Sequence, residues 1–203
     1  MVRRSICIGV VLLLGLVVMV GCAKPPTQEM QAASAAVEKA RSAEAEKYAT
    51  PEFRALRDSL SAMTAEVERQ KSRFFIVRSY KKATAMTQTV NSLAGQVEQK
   101  AIENKAQLKR ESEELLAQAQ AAVDSAVAAL ESAPVGKDTK ADIEQLKADL
   151  AGLQASLPEV RNAHAQEDFT GAKSKSQGIV SGAENIKMQV QAAVEKVKAK
   201  RTR

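Results

Sequence analysis

The 203-residue chain has no tryptophan, two cysteines and one histidine, and aromatic side chains make up only 3% of it. That scarcity excludes a thick aromatic core. It also argues against His- and Cys-based metal chemistry, which draws several such ligands to one point. Strand signals are missing too, since no Asn-Gly or Asp-Gly pair separates alternating apolar runs. Nine glycines and five prolines leave few places for the chain to turn. No HExxH, GxSxG, phosphate-binding loop or GxGxxG occurs. No catalytic residue, cofactor or metal is therefore expected, and the chain does not read as an enzyme.

Alanine fills the space, with 36 copies. It has the best helix propensity and lets helices approach closely. The expected fold is all-α: an elongated, coiled-coil-like antiparallel helical bundle.

The first 21 residues read as a targeting segment. Arg3 and Arg4 precede an apolar run from Ile6 to Val20. That run is shorter than the ~20 residues a membrane span needs, and suits the core of a signal peptide. It stops at Met19-Val20-Gly21-Cys22, which resembles the lipobox of bacterial lipoproteins. The resemblance implies cleavage before Cys22, a diacylglycerol thioether on its sulfur and an acylated amino terminus. Cys7 would leave with the signal, so no thiol would remain for a disulfide. Several acyl chains on one residue anchor a protein stably, where one chain gives only marginal binding. Ala23 is not the Asp that commonly holds lipoproteins in the inner membrane. The expected place is the inner leaflet of the outer membrane, facing the periplasm.

Breakers divide the rest. Residues 22–28 read as a lipidated tether, 29–100 as a first helical repeat unit, and 101–203 as a second, diverged unit with a basic end. Glu29 to Lys47 reads as one helix. In "YATPEF", Thr50 is expected to cap, with Pro51 at the first helical position and Glu52 at the positive end of the dipole. Phe53, Leu56, Leu60, Met63 and Val67 then form one apolar face. Tyr80, Ala83, Thr87, Val90, Ala94, Val97 and Ala101 mark a second seam. Leu108, Leu115, Ala119, Ala122, Ala126 and Leu130 are expected to continue it, as one helix of about 50 residues spanning roughly 75 Å. "NKAQLKRESEE" should be its exposed or bent stretch.

An internal repeat follows. Moved on by 90 positions, Phe53, Leu56, Leu60, Met63 and Val67 fall on Ile143, Leu146, Leu150, Leu153 and Leu157. With one deletion, "SYKKA" from Ser79 falls on "DFTGA" from Asp168. The expectation is two tandem three-helix units sharing the long central helix. Pro158 should kink or end its helix. "AVEKARSAEAEKYATPEFRAL" with "SYKKATAM" resembles the alanine-rich periplasmic domain catalogued as family 4398 of the domains of unknown function. Ala36, Ala40, Ala43, Tyr48, Ala49, Pro51, Tyr80 and Ala83 carry that resemblance. It implies compartment and fold, and no activity.

Few residues remain as candidates. His164 lies in the polar "NAHAQED" and reads as a solvated loop histidine. Ser112 to Glu114 read as a surface charge run. Phe74 and Phe75, beside Arg73 and Arg78, either cover the end of the bundle, the expected reading, or grip a membrane or partner. Lys196, Lys198, Lys200, Arg201 and Arg203 form a basic end, suited to a helix C-terminus or to an anionic envelope polymer or head group. The compartment and the lack of stacking aromatics exclude nucleic acid. The chain reads as a membrane-anchored lipoprotein with a structural, scaffold or protein-interaction role. Its partners would be the membrane, through Cys22, and an envelope protein or peptidoglycan. The other reading is a ligand-binding or chaperone-like module using a groove between the units.

Overall fold

A computed structural model describes residues 24–134 and 139–201. Residues 1–23, which include the expected signal segment and Cys22, lie outside the described residues. Those described form six α-helices and one short 3-10 turn, with no strand among them. The chain divides into two compact units, Met1–Asn104 and Lys105–Arg203.

The first unit holds α1 (Thr27–Ser42), α2 (Ala45–Tyr48), α3 (Thr50–Ser72), a 3-10 turn (Phe75–Val77) and the start of α4 (Lys81–Glu131). Helix α1 follows two prolines and carries Glu29 in its first turn and Lys39 and Arg41 in its last. Those charges complement the helix dipole. The single helix expected over Glu29–Lys47 is broken at Ala43–Glu44, where Glu44 takes a left-handed φ of 58°. Thr50 does not cap α3. It is the first helical residue, and its hydroxyl donates back to the Glu46 carbonyl at 2.7 Å.

Burial follows the expected stripes. Phe53, Leu56, Met63 and Val67 are buried on α3, and Leu60 is half-buried. All seven expected seam residues from Tyr80, just before α4, to Ala101 are buried. The contacts fix the sense of packing. Val67 packs with Tyr80 and Met30 at one end. At the other, Asn104 donates to the Tyr48 carbonyl at 2.6 Å and Lys100 pairs with Glu52. Helix α3 therefore runs antiparallel to α4. Lys39 of α1 meets Glu98 at 3.2 Å, so α1 runs parallel to α4.

The second unit holds the rest of α4, α5 (Lys140–Ala165) and α6 (Phe169–Arg201). Its core joins Val123, Leu130, Ile143, Leu146, Val160 and Ile179, among others. The expected seam drifts here. Leu108, Leu115 and Ala122 are half-buried, while Ser112 and Val123 are fully buried. The true stripe is 112, 116, 119, 123, 126, 130, with a serine where an apolar residue would mark the register. Pro158 does not end α5, which continues to Ala165. The proline has no N–H to give the carbonyl four residues back, and its ring is accommodated on an exposed face.

From Phe169 to Val190 the buried set of α6 is Phe169, Ala172, Ser176, Ile179, Ala183, Ile186 and Val190, and Ala193 is buried beyond it. From Phe169 to Val190 the spacing repeats that of the first unit, each member lying 89 positions after its counterpart in the buried set from Tyr80 to Ala101. Asp168 caps α6, its carboxylate accepting the Gly171 N–H at 3.1 Å. Gly171 is required there, because a Cβ would lie 2.1 Å from the Asp168 carboxylate.

Candidate functional site

His164 is not a solvated loop residue. It occupies the last turn of α5 with a side chain only 19% exposed. Its Nδ1 lies 2.8 Å from the hydroxyl of Ser112, which also donates to the Lys109 carbonyl at 2.8 Å. Its Nε2 lies 3.4 Å from a Glu113 carboxylate oxygen, and its ring packs against Phe169 at 5.1 Å between centroids. The expected surface run Ser112–Glu114 is thus partly an interior contact. One small residue on α4 leaves room for the imidazole, which fills it and satisfies the buried hydroxyl. Ser112, His164 and Glu113 thus stand in hydroxyl–imidazole–carboxylate order, with the Ser112 hydroxyl fully buried and donating to the Lys109 carbonyl. No group of three or more His, Cys, Asp or Glu able to hold a metal occurs among the described residues.

Charges organise the surfaces of both units. Glu66 is buried on α3, where it accepts from the Gln70 amide at 2.9 Å and pairs with Arg69. The Gln70 hydrogen bond, with help from Arg69 and Lys82, holds its carboxyl below the ordinary value of 4.5. Lys173 does the same for Glu111 in the second unit. Lys100 does so for Glu52.

The basic end is only partly described. Lys196 and Lys198 are exposed on α6, and Lys198 pairs with Glu195 at 3.0 Å. Arg203 lies outside the described residues, as do the side chains of Lys200 and Arg201. No helix among the described residues is long and apolar enough to cross a membrane.

The feature that sequence reasoning misjudged lies between α3 and α4. Phe74, Phe75, Ile76 and Val77 are not buried at the end of the bundle. They are 67%, 54%, 66% and 55% exposed. Their base is nonetheless fixed. Arg78 donates to the carbonyls of Arg73 and Lys71, each at 2.8 Å, and closes the turn. The Ser79 N–H donates to the Gln70 side chain at 3.2 Å, which ties the start of α4 to Glu66. Four apolar side chains thus stand on a hydrogen-bonded pedestal. A signal for this was present: cations flank the apolar run on both sides, which opposes folding it inward. No family model matches this chain, and neither a curated protein nor a solved structure matches it.

Proposed function

We propose that the chain is a bacterial lipoprotein, anchored through acyl chains on Cys22 in the inner leaflet of the outer membrane. It faces the periplasm and serves a structural, scaffold or protein-interaction role rather than an enzymatic one. The observation that carries this reading is the apolar run ending at Gly21-Cys22, followed at once by Pro25-Pro26 and a helical body. The body is read as two copies of a three-helix unit sharing α4. Its support is the matched burial on α4 and α6, together with the pairs Ser112–His164 and Gln120–Arg161, which set α5 antiparallel to α4 as α3 is in the first unit. The buried alanines of the seams serve helix contact. The exposed Lys196 and Lys198 suit an anionic surface at the far end of the chain.

The test is Cys22→Ala. Metabolic labelling with a radioactive fatty acid should mark the wild-type chain and not the variant. The variant should accumulate unprocessed or leave the outer membrane fraction. Normal size and normal membrane retention of the variant would overturn the reading.

A further inference from the structure

The exposed turn between α3 and α4 has a chemistry of its own. From Arg69 to Lys82 the chain carries six cations, Arg69, Lys71, Arg73, Arg78, Lys81 and Lys82, and no acid. Four consecutive large apolar side chains stand at its centre, each more than half exposed. A three-residue 3-10 turn sends successive side chains about 120° apart. The tip therefore presents apolar atoms all round, and no single helix face could cover it. An apolar wedge ringed by cations matches the layered chemistry of a bilayer surface, with acyl chains below and anionic head groups around.

The position of the tip agrees. Pro25, Thr27 and Met30, where the described chain begins, line one cleft with Val67 and Lys71. The start of α1 and the 73–78 turn thus share one end of the first unit. Cys22 is five residues from Thr27, so at full extension it lies within about 18 Å of that end. A bilayer holding Cys22 would face the tip.

We propose that Phe74–Val77 is a second membrane contact, which inserts into the interfacial layer of an anionic bilayer while the surrounding cations hold its head groups. The proposal takes its direction from the Cys22 anchor but is tested apart from it. Two tips meeting each other would bring two cation rings together, so self-association is disfavoured.

The absence of tryptophan makes the test direct, since Phe75→Trp gives a single tryptophan, excited selectively at wavelengths where Tyr48 and Tyr80 do not absorb. The control is Ile102→Trp, exposed at the opposite end of the same unit, near Asn104. Full chains, with Cys22 and with Cys22→Ala, are reconstituted into vesicles of phosphatidylethanolamine and phosphatidylglycerol. For Phe75→Trp the emission should shift to shorter wavelength and be quenched by brominated acyl chains. For Ile102→Trp it should do neither. Changing Lys71, Arg73, Lys81 and Lys82 to Gln, or using phosphatidylcholine alone, should weaken partition of the tip, by about fivefold per cation removed. Phe74→Ser with Ile76→Ser should abolish membrane retention of the tip without changing helix content, because both side chains are exposed. Equal quenching at 75 and 102 would overturn the proposal. So would a blue-shifted Phe75→Trp emission without lipid in a chain of dimer mass, or unaltered partition after the cation changes. If fatty-acid labelling of Cys22 fails while Phe75→Trp is quenched, the anchor falls and the tip stands. If labelling succeeds and quenching is absent, the reverse holds.

Discussion

The turns that end α3 and α5 occupy the same place in their units and have opposite characters. The first runs eight residues and exposes four apolar side chains. The second takes three residues, Gln166 to Asp168, with Glu167 at a φ of 59°. It is stitched shut by Lys105–Glu167 at 2.7 Å and by His164 on Ser112. Yet the helices that follow, α4 and α6, bury the same stripe, from Tyr80 and from Phe169. The difference teaches that packing fixes the stripes and leaves the turn free to diverge. The second unit spends its turn on closure. The first closes the base of its turn with Arg78 and Gln70, and points the tip outward.

The largest effects should come from the stripes, where the units ought to agree. Leu56 and Leu146 are matched and are 1% and 3% exposed. Truncating either to Ala should cost about 2–5 kcal/mol in urea unfolding. Leu60→Ala should cost less than Leu150→Ala, because Leu60 is half-buried and Leu150 is buried. Equal losses at 60 and 150 would blur the distinction between the units.

The turns should separate next. His164→Ala removes a part-buried hydrogen bond to Ser112 and a ring contact with Phe169, and should cost about 1–2 kcal/mol. Phe74→Ser should change stability by less than about 0.5 kcal/mol, because the side chain is 67% exposed. A reversed order in thermal melts would show that the first turn, not the second, closes its unit.

A smaller contrast lies inside the stripes. Thr87 and Ser176 are matched and both buried. Thr87 donates to the Thr84 carbonyl at 2.7 Å, whereas the Ser176 hydroxyl has no hydrogen-bond partner among the described residues. Ser176→Ala should raise stability by about 1 kcal/mol, and Thr87→Ala should lower it. The same sign for both would break the comparison.

The smallest effect is in acid. Glu66 and Glu111 both titrate below the ordinary 4.5. Their contribution is present above that value, where the unfolded carboxyls are ionised. It is lost as pH falls through the lower folded values. Lys173→Met should flatten the acid limb through Glu111 while leaving the Glu66 part, read by unfolding midpoints across acid pH.

Much of the helical fold was legible because it rests on periodicity. From Tyr80 to Ala101 every third or fourth residue is small or apolar, and each of them is buried. The reading failed where a polar residue took a seam position. Ser112 hid the register, so Leu115 was expected where Leu116 packs against the core. Glu44 gave no warning of a break, because left-handed φ is ordinarily read from Gly or Asn. The apolar turn reads as buried because apolarity usually means burial. His164 reads as loop because its partner, Ser112, lies 52 positions away. Single-sequence periodicity does not see such pairs.

The seams carry many alanines, among them Ala33, Ala40, Ala83, Ala94, Ala101, Ala126, Ala172 and Ala183, nearly all fully buried. Their mutational tolerance is the inverse of that in a leucine core. Alanine to glycine removes one methyl and weakens a helix by about 1 kcal/mol. Alanine to valine or leucine adds volume where helices lie close, and must push them apart at about 1–3 kcal/mol or more. Drift towards larger residues at these positions would force the packed helices apart. Its stability rests on staying small.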